Sequence, residues 1–430
     1  MASSRKSFTD LVLHLHPQRV SARTLRFSLS CGLGGMAVVL TGLLFLTGVL
    51  LLVAYEPSIE QAYGSILVLT RDVPFGRWVR NIHHASANLL VVVALLHVFR
   101  VAATGAFGAG RRLNWLVGLG LFAVLLAANF TGYLLPWDQL AYWAVTICTS
   151  MLGYVPLCGD GLMALFRGGR DIGQATLANF FVLHVAALPG LLLLLSLWHF
   201  WLVRRAGGLV REAAAADARV AVVPHLLLRE AAVGLTLLAA VLLLAMVWDA
   251  PLLAQANPGL SPNPAKAPWY FQGFQELLLH LDPLFAVVVW PLCGAAALVA
   301  MPFWRESALP PGVWCGGPHG WRPAVWMGAC GVVLAAGAIL GDDAALRAGG
   351  VAGAGAWLSR GVLPTALVFA LFAGAYALLV RRLRYPRAEA VLACLCLALA
   401  MLAVCTVVGV WFRGAEMRLV WPFARAVGSA

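Results

Sequence analysis

Residues 79–100 read VRNIHHASANLLVVVALLHVFR, and this stretch decides the fold. Between Arg80 and Arg100 it has no acidic or basic residue apart from histidine. It approaches the roughly 20 residues that a helix needs to cross a bilayer. It also holds His83 and His97, and ionisable residues inside a membrane helix are costly and mark function. The stretch therefore predicts a membrane span that carries a binding site.

The rest of the chain repeats this apolar pattern. Of the 430 residues, 62% are hydrophobic and only 11% are charged, and the mean hydropathy is +0.86. Such figures exclude soluble multidomain, disordered and disulfide-scaffold proteins. We predict an all-α polytopic membrane protein of about nine transmembrane helices, near 33–54, 85–99 with its flanks, 113–135, 178–203, 231–248, 284–303, 324–340, 362–380 and 390–412.

A further charge-free stretch, 139–159, is interpreted from the positions of the basic residues. If it stays on one side of the membrane, five basic clusters share one face, which the positive-inside rule assigns to the cytoplasm: 5–26, 100–112, 204–229, 305–322 and 381–387. We therefore predict one or two outer surface helices at 139–159 and a cytoplasmic N-terminus. The net charge of +12 then reflects membrane topology, and we expect no nucleic-acid partner.

The nine cysteines form no CxxC or CxxCH motif. A zinc ribbon, a thioredoxin-type couple and a c-type haem of the usual motif are therefore not predicted. The N-terminal segment lacks a short apolar core with a small-residue cleavage site, so no removable signal peptide is predicted.

Four histidines lie in two of the predicted spans. His83 and His97 are 14 residues apart, and His184 and His199 are 15 apart. These steps correspond to rises of about 21 and 22 Å and to net rotations of about −40° and +60°. Each helix thus presents one imidazole near each membrane surface, on roughly one face. Two such helices would form two stacked bis-imidazole sites, the ligand set of a b-type haem.

Glycines and arginines support this interpretation. Two other spans carry glycine pairs that are also 14 residues apart, where a flat macrocycle could approach the backbone: Gly34 and Gly48, and Gly118 and Gly132. Arg80 and Arg100 lie three residues outside the histidines of their span. We expect them to pair with haem propionates.

Three segments together resemble cytochrome b, the haem subunit of quinol:cytochrome c reductases and of the plastid-type bf complex. They are 79–100 above, ANFTGYLLPWDQLAYWAVTI at 128–147 and GQATLANFFVLHVAALPGLLLLLSLWHF at 173–200. The resemblance is good over about 20–300, weakens through 324–380 and is faint in the last span. It implies that His83 and His184 hold an outer haem b, and that His97 and His199 hold an inner one.

The resemblance also implies an outer quinol-oxidation pocket. Tyr133, Pro136 and Trp137 would line it, and a loop with Trp269 and Tyr270 would close it. The family's usual Pro-Glu-Trp-Tyr reads Ala-Pro-Trp-Tyr at 267–270, so the carboxylate thought to accept a quinol proton is missing. We expect Glu276 to replace it, ahead of Asp138, with a pKa raised by an apolar pocket.

Cys31 marks a second departure from the pattern. In the plastid-type branch, a cysteine before the first span attaches an extra covalent haem. Here that cysteine is displaced by one residue, which turns the thiol by about 100° and argues against a third haem. The resemblance therefore implies two non-covalent haems, with quinol and quinone as substrates.

These expectations divide the chain into four segments: a cytoplasmic amphipathic arm at 1–30, a four-helix di-haem bundle at 31–205 with surface helices in 136–177, a three-helix domain at 206–340 with the pocket loop 249–283, and a linker with two further spans at 341–430. We expect a subunit of a quinol oxidoreductase in a bacterial inner membrane.

Its expected partners are a Rieske-type iron-sulfur protein, a c-type cytochrome, the quinone pool, membrane lipid and a second copy of the complex. The main alternative is a b-haem membrane anchor of a dehydrogenase or hydrogenase, which has no need for an outer quinol pocket. A transporter would need polar or broken helices at mid-membrane, and a structural scaffold would bind no haem.

Overall fold

The computed structural model describes residues 18–422 apart from 109, 213–217, 305–306 and 348–356. Residues 1–17 of the predicted amphipathic arm and residues 348–356 of the predicted linker therefore lie outside the described residues. Within the described part of the chain, nine helices are long and apolar enough to cross a membrane. The predicted all-α polytopic fold is confirmed.

The helices follow the apolar runs of the sequence. In chain order they are α1 Leu33–Leu52, α2 Ala62–Arg71, α3 Gly76–Ala103, α4 Arg112–Leu134, α5 Gln139–Met151, α6 Gly159–Arg167, α7 Gln174–Arg205, α8 Val222–Val247, α9 Gln272–His280, α10 Phe285–Phe303, α11 Trp321–Arg347, α12 Leu358–Arg382 and α13 Arg387–Phe412. A single helical turn, Phe27–Ser30, precedes α1. Two three-residue strands, β1 Arg19–Ser21 and β2 Arg219–Ala221, pair antiparallel with Val20 opposite Val220.

The chain forms two compact units. The first contains 1–135, 180–252 and 302–318, and the second contains 136–179, 253–301 and 319–430. The first unit thus includes α1 to α4, most of α7, and α8, and the second includes α5, α6, α9, most of α10, and α11 to α13. These bounds differ from the four predicted segments, because contacts rather than chain order define them.

The stretch 139–159 forms no span. Helix α5 has 13 residues and α6 has 9, and 13 residues rise only about 20 Å, short of the ~30 Å hydrocarbon core. Asp138 begins α5, because its Oδ1 accepts a hydrogen bond from the Ala141 backbone N–H at 2.8 Å. This agrees with the prediction of short surface helices.

Three spans contain a π turn just before a proline. The turns are Leu183–Ala187 in α7, Phe285–Val289 in α10 and Leu358–Val362 in α12, and they precede Pro189, Pro291 and Pro364. A proline has no N–H and crowds the carbonyl four residues earlier. A wider turn relieves that crowding, and such turns are frequent at functional sites.

Candidate functional site

The four histidines lie on two helices of the first unit. His83 and His97 belong to α3, and His184 and His199 belong to α7. Helices α1 and α4 pack against α3 and α7 respectively. The apolar sequences of these helices therefore bring the predicted ligands and the predicted glycines into one bundle.

His83 and His184 form a facing pair. Their ring centroids are 6.2 Å apart, with the ring planes at 74°. The Nδ1 atom of His83 lies 2.9 Å from the Thr47 hydroxyl, and that of His184 lies 2.9 Å from the Ala128 carbonyl oxygen. When Nδ1 is held in this way, Nε2 is oriented for a metal.

His97 and His199 form the second pair, close enough to interact electrostatically. His199 is directed at the backbone of Asn114, although its Nδ1 falls short of hydrogen-bond geometry. Asn114 precedes Gly118 by four residues, just as Ala128 precedes Gly132. The two sites are therefore built on the same pattern at two depths.

Each predicted glycine faces one predicted histidine. A Cβ atom would lie 3.7 Å from the His97 ring at Gly34, 3.4 Å from the His83 ring at Gly48, and 3.5 Å from the His199 ring at Gly118. At Gly132 it would lie only 2.4 Å from Cε1 of His184. We expected these glycines to admit a macrocycle, and the structure adds that they make room for the imidazoles.

The π turn in α7 explains the unequal histidine spacing. His184 lies within the turn Leu183–Ala187, and a turn closed by i→i+5 bonds holds about one residue more than an α turn. Removing one residue, or about 100° of rotation, converts the 15-residue step to a 14-residue step. His184 and His199 therefore match His83 and His97 in register.

The two predicted propionate partners differ in their surroundings. The Arg100 residue is only 4% exposed; its Nε donates to the Leu29 carbonyl at 2.8 Å, while its Nη2 has no hydrogen-bond partner among the described residues. A buried cationic donor of this kind suits a propionate. Arg80 instead donates to the carbonyls of Ala250 at 2.8 Å and Pro251 at 2.6 Å.

The chemistry of the donors fits haem. Within the described ranges, no group of three or more His, Cys, Asp or Glu side chains could hold a metal ion. Two imidazoles per site are too few for a bare ion but suffice for an iron whose other ligands come from a porphyrin. Cys31 adopts a left-handed backbone conformation with φ of 50°, and the absence of a third haem stays a prediction.

The GYLLPW segment divides between the two units. Tyr133 lies in the last turn of α4 in the first unit, and Pro136 begins the second. Trp137 is buried, and its carbonyl accepts a hydrogen bond from Ala256 at 3.0 Å. Asp138 Oδ2 accepts from the Leu253 backbone N–H at 3.0 Å. Both carboxylate oxygens of Asp138 therefore accept hydrogen bonds from backbone N–H groups, which suits a structural role.

The turn with Trp269 and Tyr270 is held by α9. The Gln275 side chain accepts from the Ala267 backbone N–H at 2.7 Å, and Gln272 donates to the Ala267 carbonyl at 2.6 Å. The Trp269 and Tyr270 rings meet edge to face, with centroids 5.7 Å apart. Local hydrogen bonds thus fix the two aromatic residues that the sequence placed in the pocket.

Glu276 is in an ion pair that the sequence analysis missed. Its side chain is fully buried, and Arg413 approaches it from the end of α13 with Nη2–Oε1 and Nε–Oε2 distances of 2.5 and 3.0 Å. Burial alone would raise the pKa of Glu276, but the hydrogen bonds and charges of His280 and Arg413 lower it below its usual value. The expected raised pKa was therefore wrong.

The ion pair belongs to a larger cluster of charged side chains. Arg413 Nη1 lies 2.7 Å from Asp343 Oδ1. His280 lies 3.0 Å from Glu276 through Nε2 and 2.6 Å from Asp342 through Nδ1. The sequence shows only that Asp342, Asp343 and Arg413 are charged residues just after the predicted spans 324–340 and 390–412; it does not show that they meet.

The described fold and sites can be compared with known proteins. A family model described as cytochrome b/b6/petB matches residues 21–207, which include all four histidines. Cytochrome b6 of Prochlorococcus marinus (strain NATL1A) is 41% identical over 175 residues, covering 41% of this chain and 80% of the relative. Cytochrome b6 of Synechococcus sp. (strain CC9902) gives the same identity and coverage.

A solved structure described as a hyperthermophilic respiratory Complex III has a similar fold. It matches with a TM-score of 0.68 and 24% identity, covering 87% of this chain and 96% of that chain. Together with the match to the cytochromes b6, these findings identify the family. The chain belongs to the cytochrome b family, and it is an integral membrane protein of electron transport that binds b-type haem non-covalently.

Proposed function

We propose that the chain is the di-haem subunit of a quinol:electron-acceptor oxidoreductase. Quinol is oxidised near the outer face, one electron leaves to a high-potential acceptor, and the other crosses to a quinone site near the inner face. The observation that carries this proposal is the pair of bis-histidine sites. Each site has two imidazoles on facing helices and a glycine behind each ring.

The residues of the chain have separate tasks in this account. His83 and His184 would hold one haem b, and His97 and His199 would hold the other; when bound, these groups supply two one-electron carriers at different depths. Thr47 and the Ala128 carbonyl orient the imidazoles of the first site. Arg100 offers a buried cation to an anionic substituent.

The quinol pocket and the partners extend the same proposal. Tyr133, Pro136, Trp137, Trp269 and Tyr270 would surround the quinol head group, and Glu276 with its neighbours would receive a proton. A Rieske-type iron-sulfur protein and a c-type cytochrome would take the high-potential electron, in a dimeric complex of a bacterial inner membrane. The named Complex III relative and the cytochromes b6 support a multisubunit assembly.

The test removes the carboxylate of Glu276 and keeps its shape. In membranes that hold the full complex, Glu276→Gln is expected to slow quinol oxidation by ~10² to 10⁴, the usual size of a general-base contribution. The reduced-minus-oxidised haem spectrum should be unchanged. Asp138→Asn should have a smaller effect.

Because Glu276 is paired with Arg413, the experiment needs a control for loss of the ion pair. Asp343→Asn removes the other carboxylate that contacts Arg413, and it should leave quinol oxidation within a few-fold of wild type. A wild-type rate in Glu276→Gln at every pH would contradict the role of Glu276. Equal losses in both variants would mean that the ion pair only supports the fold.

A further inference from the structure

We propose that His280 is a proton-relay residue, which takes the quinol proton from Glu276 and passes it to Asp342 at the outer surface. Arg413 is the positioning residue of this relay. The inference rests on the proposed quinol oxidation and adds a route for the proton. Its three acid–base groups come from α9 and α11, and its cation lies just after α13.

The Nε2 atom of His280 has a hydrogen-bond partner in either protonation state. It lies 3.0 Å from Glu276 Oε1, which accepts a bond when Nε2 is protonated. It also lies 3.1 Å from Arg413 Nη2, which donates when Nε2 is bare. A histidine nitrogen can act as a donor or an acceptor, so His280 can gain or lose a proton without leaving a buried atom unpaired.

The exposed fraction of the side chain increases from Glu276 to His280 to Asp342. The Glu276 side chain is 0% exposed, that of His280 is 13% exposed, and that of Asp342 is 32% exposed. The Nδ1 atom of His280 lies 2.6 Å from Asp342 Oδ2. Successive hydrogen bonds therefore lead from a buried carboxylate to one that meets solvent.

The charged side chains around His280 favour its protonation. Burial alone would lower its pKa, but hydrogen bonds to Glu276 and Asp342 and the charges of both raise it above the usual value. Charged groups face the cluster from each neighbouring element: Glu276 on α9, Asp342 and Asp343 on α11, Arg413 after α13, and Lys266 in the pocket loop. The carboxylates of Glu276 and Asp342 therefore stabilise the protonated form of His280.

The last span fixes this arrangement. A Cβ at Gly273 would lie 2.7 Å from the Thr406 hydroxyl, and one at Gly409 would lie 2.8 Å from Gln272 Oε1. Lys266 donates to the Val410 carbonyl at 3.0 Å. Helix α9 and the pocket loop are therefore packed closely on α13, and this contact brings Arg413 to Glu276.

Quinol loses two protons and two electrons to become quinone; one electron would leave to the high-potential acceptor and the other to the haem that His83 and His184 would hold. For each proton that the relay carries, an O–H bond of quinol breaks and Glu276 becomes protonated. That proton then moves to Nε2 of His280, while the proton on Nδ1 leaves through Asp342 to water.

The test measures quinol oxidation against pH in membranes with the full complex and a short-chain quinol. In wild type, the rate should fall as the pH drops below the raised pKa of His280, because a protonated His280 accepts no proton. His280→Gln should be slower by ~10² and should lose this dependence. The matched control is His319→Gln, at a histidine just before the start of α11. It should keep both the rate and the pH profile of quinol oxidation.

Asp342→Asn is a second, independent test of the relay. It removes a carboxylate that raises the pKa of His280, so the falling part of the profile should move to lower pH while the haem spectra stay unchanged. An unshifted profile in Asp342→Asn, or a wild-type rate and profile in His280→Gln, would overturn the relay. If Glu276→Gln alone slows the reaction, the proposed function stands without the relay; if no variant slows it, the relay and the role of Glu276 are both overturned, whereas absence of quinol oxidation in wild type would overturn the proposed function itself.

Discussion

At the scale of the residue, each histidine ligand depends on a neighbouring glycine, which has no side chain to displace the imidazole. Each imidazole faces a glycine on a neighbouring helix, and the four distances from a built Cβ to the ring range from 2.4 to 3.7 Å. A contact below about 3 Å forces a shift in a close-packed interior. The shortest distance is at Gly132, so that position should be the most sensitive to a methyl group.

We predict that Gly132→Ala loses most of the haem held by His83 and His184 and keeps the other haem. The added Cβ would displace the His184 ring, which lies 2.4 Å away. Haem content and reduced-minus-oxidised spectra of the purified protein check this. Gly120→Ala on the same helix is the control, because its Cβ would meet only the Leu195 side chain at 3.9 Å. Full haem content in Gly132→Ala would contradict the packing argument.

At the scale of the element, the π turn of α7 keeps two ligands in register. The step of 15 residues from His184 to His199 would rotate the second ring by about +60° in a regular helix. The turn Leu183–Ala187 takes up the extra residue, and Pro189 follows it. Helix α3 needs no π turn, because His83 and His97 are 14 residues apart.

We predict that deleting Ala186 together with Pro189→Ala retains both haems. The deletion restores a 14-residue step, and the substitution removes the proline that a regular helix would not accommodate. Inserting one alanine after Leu90 in α3 should instead turn His97 by about 100° and lose the haem that His97 holds. Haem loss in the deletion variant and none in the insertion variant would show that the π turn does not set the register.

The elements also show what could be predicted from the sequence. Apolar length and helical period were enough for the nine spans, the histidine pairs and the matching glycines, because these are local properties. The contact of Glu276 with Arg413 joins residues 137 apart, and no local pattern encodes such a contact. The three-residue strands β1 and β2 and the short helix α2 were missed because their runs are too brief to show a period.

At the scale of the whole molecule, the basic clusters should set the direction of the spans. The short α5 and α6 leave 136–173 on one side, so the loops at 206–220 and 383–387 share a face under the positive-inside rule. We predict that cysteines engineered at 154–172 and 342–356 react with an impermeant reagent added outside the cell. Cysteines at 206–220 and 383–387 should react only after the membrane is opened; outside labelling of 206–220 would reverse this topology.

If one chain holds two haems b at two depths, the haem-to-protein ratio of the purified protein must show it. We predict two haems per chain in wild type and one in each of His184→Ala and His199→Ala. The two single variants should lack different components of the reduced-minus-oxidised spectrum, since each pair of imidazoles serves one site. A ratio of one in wild type, or two haems retained in either variant, would contradict it.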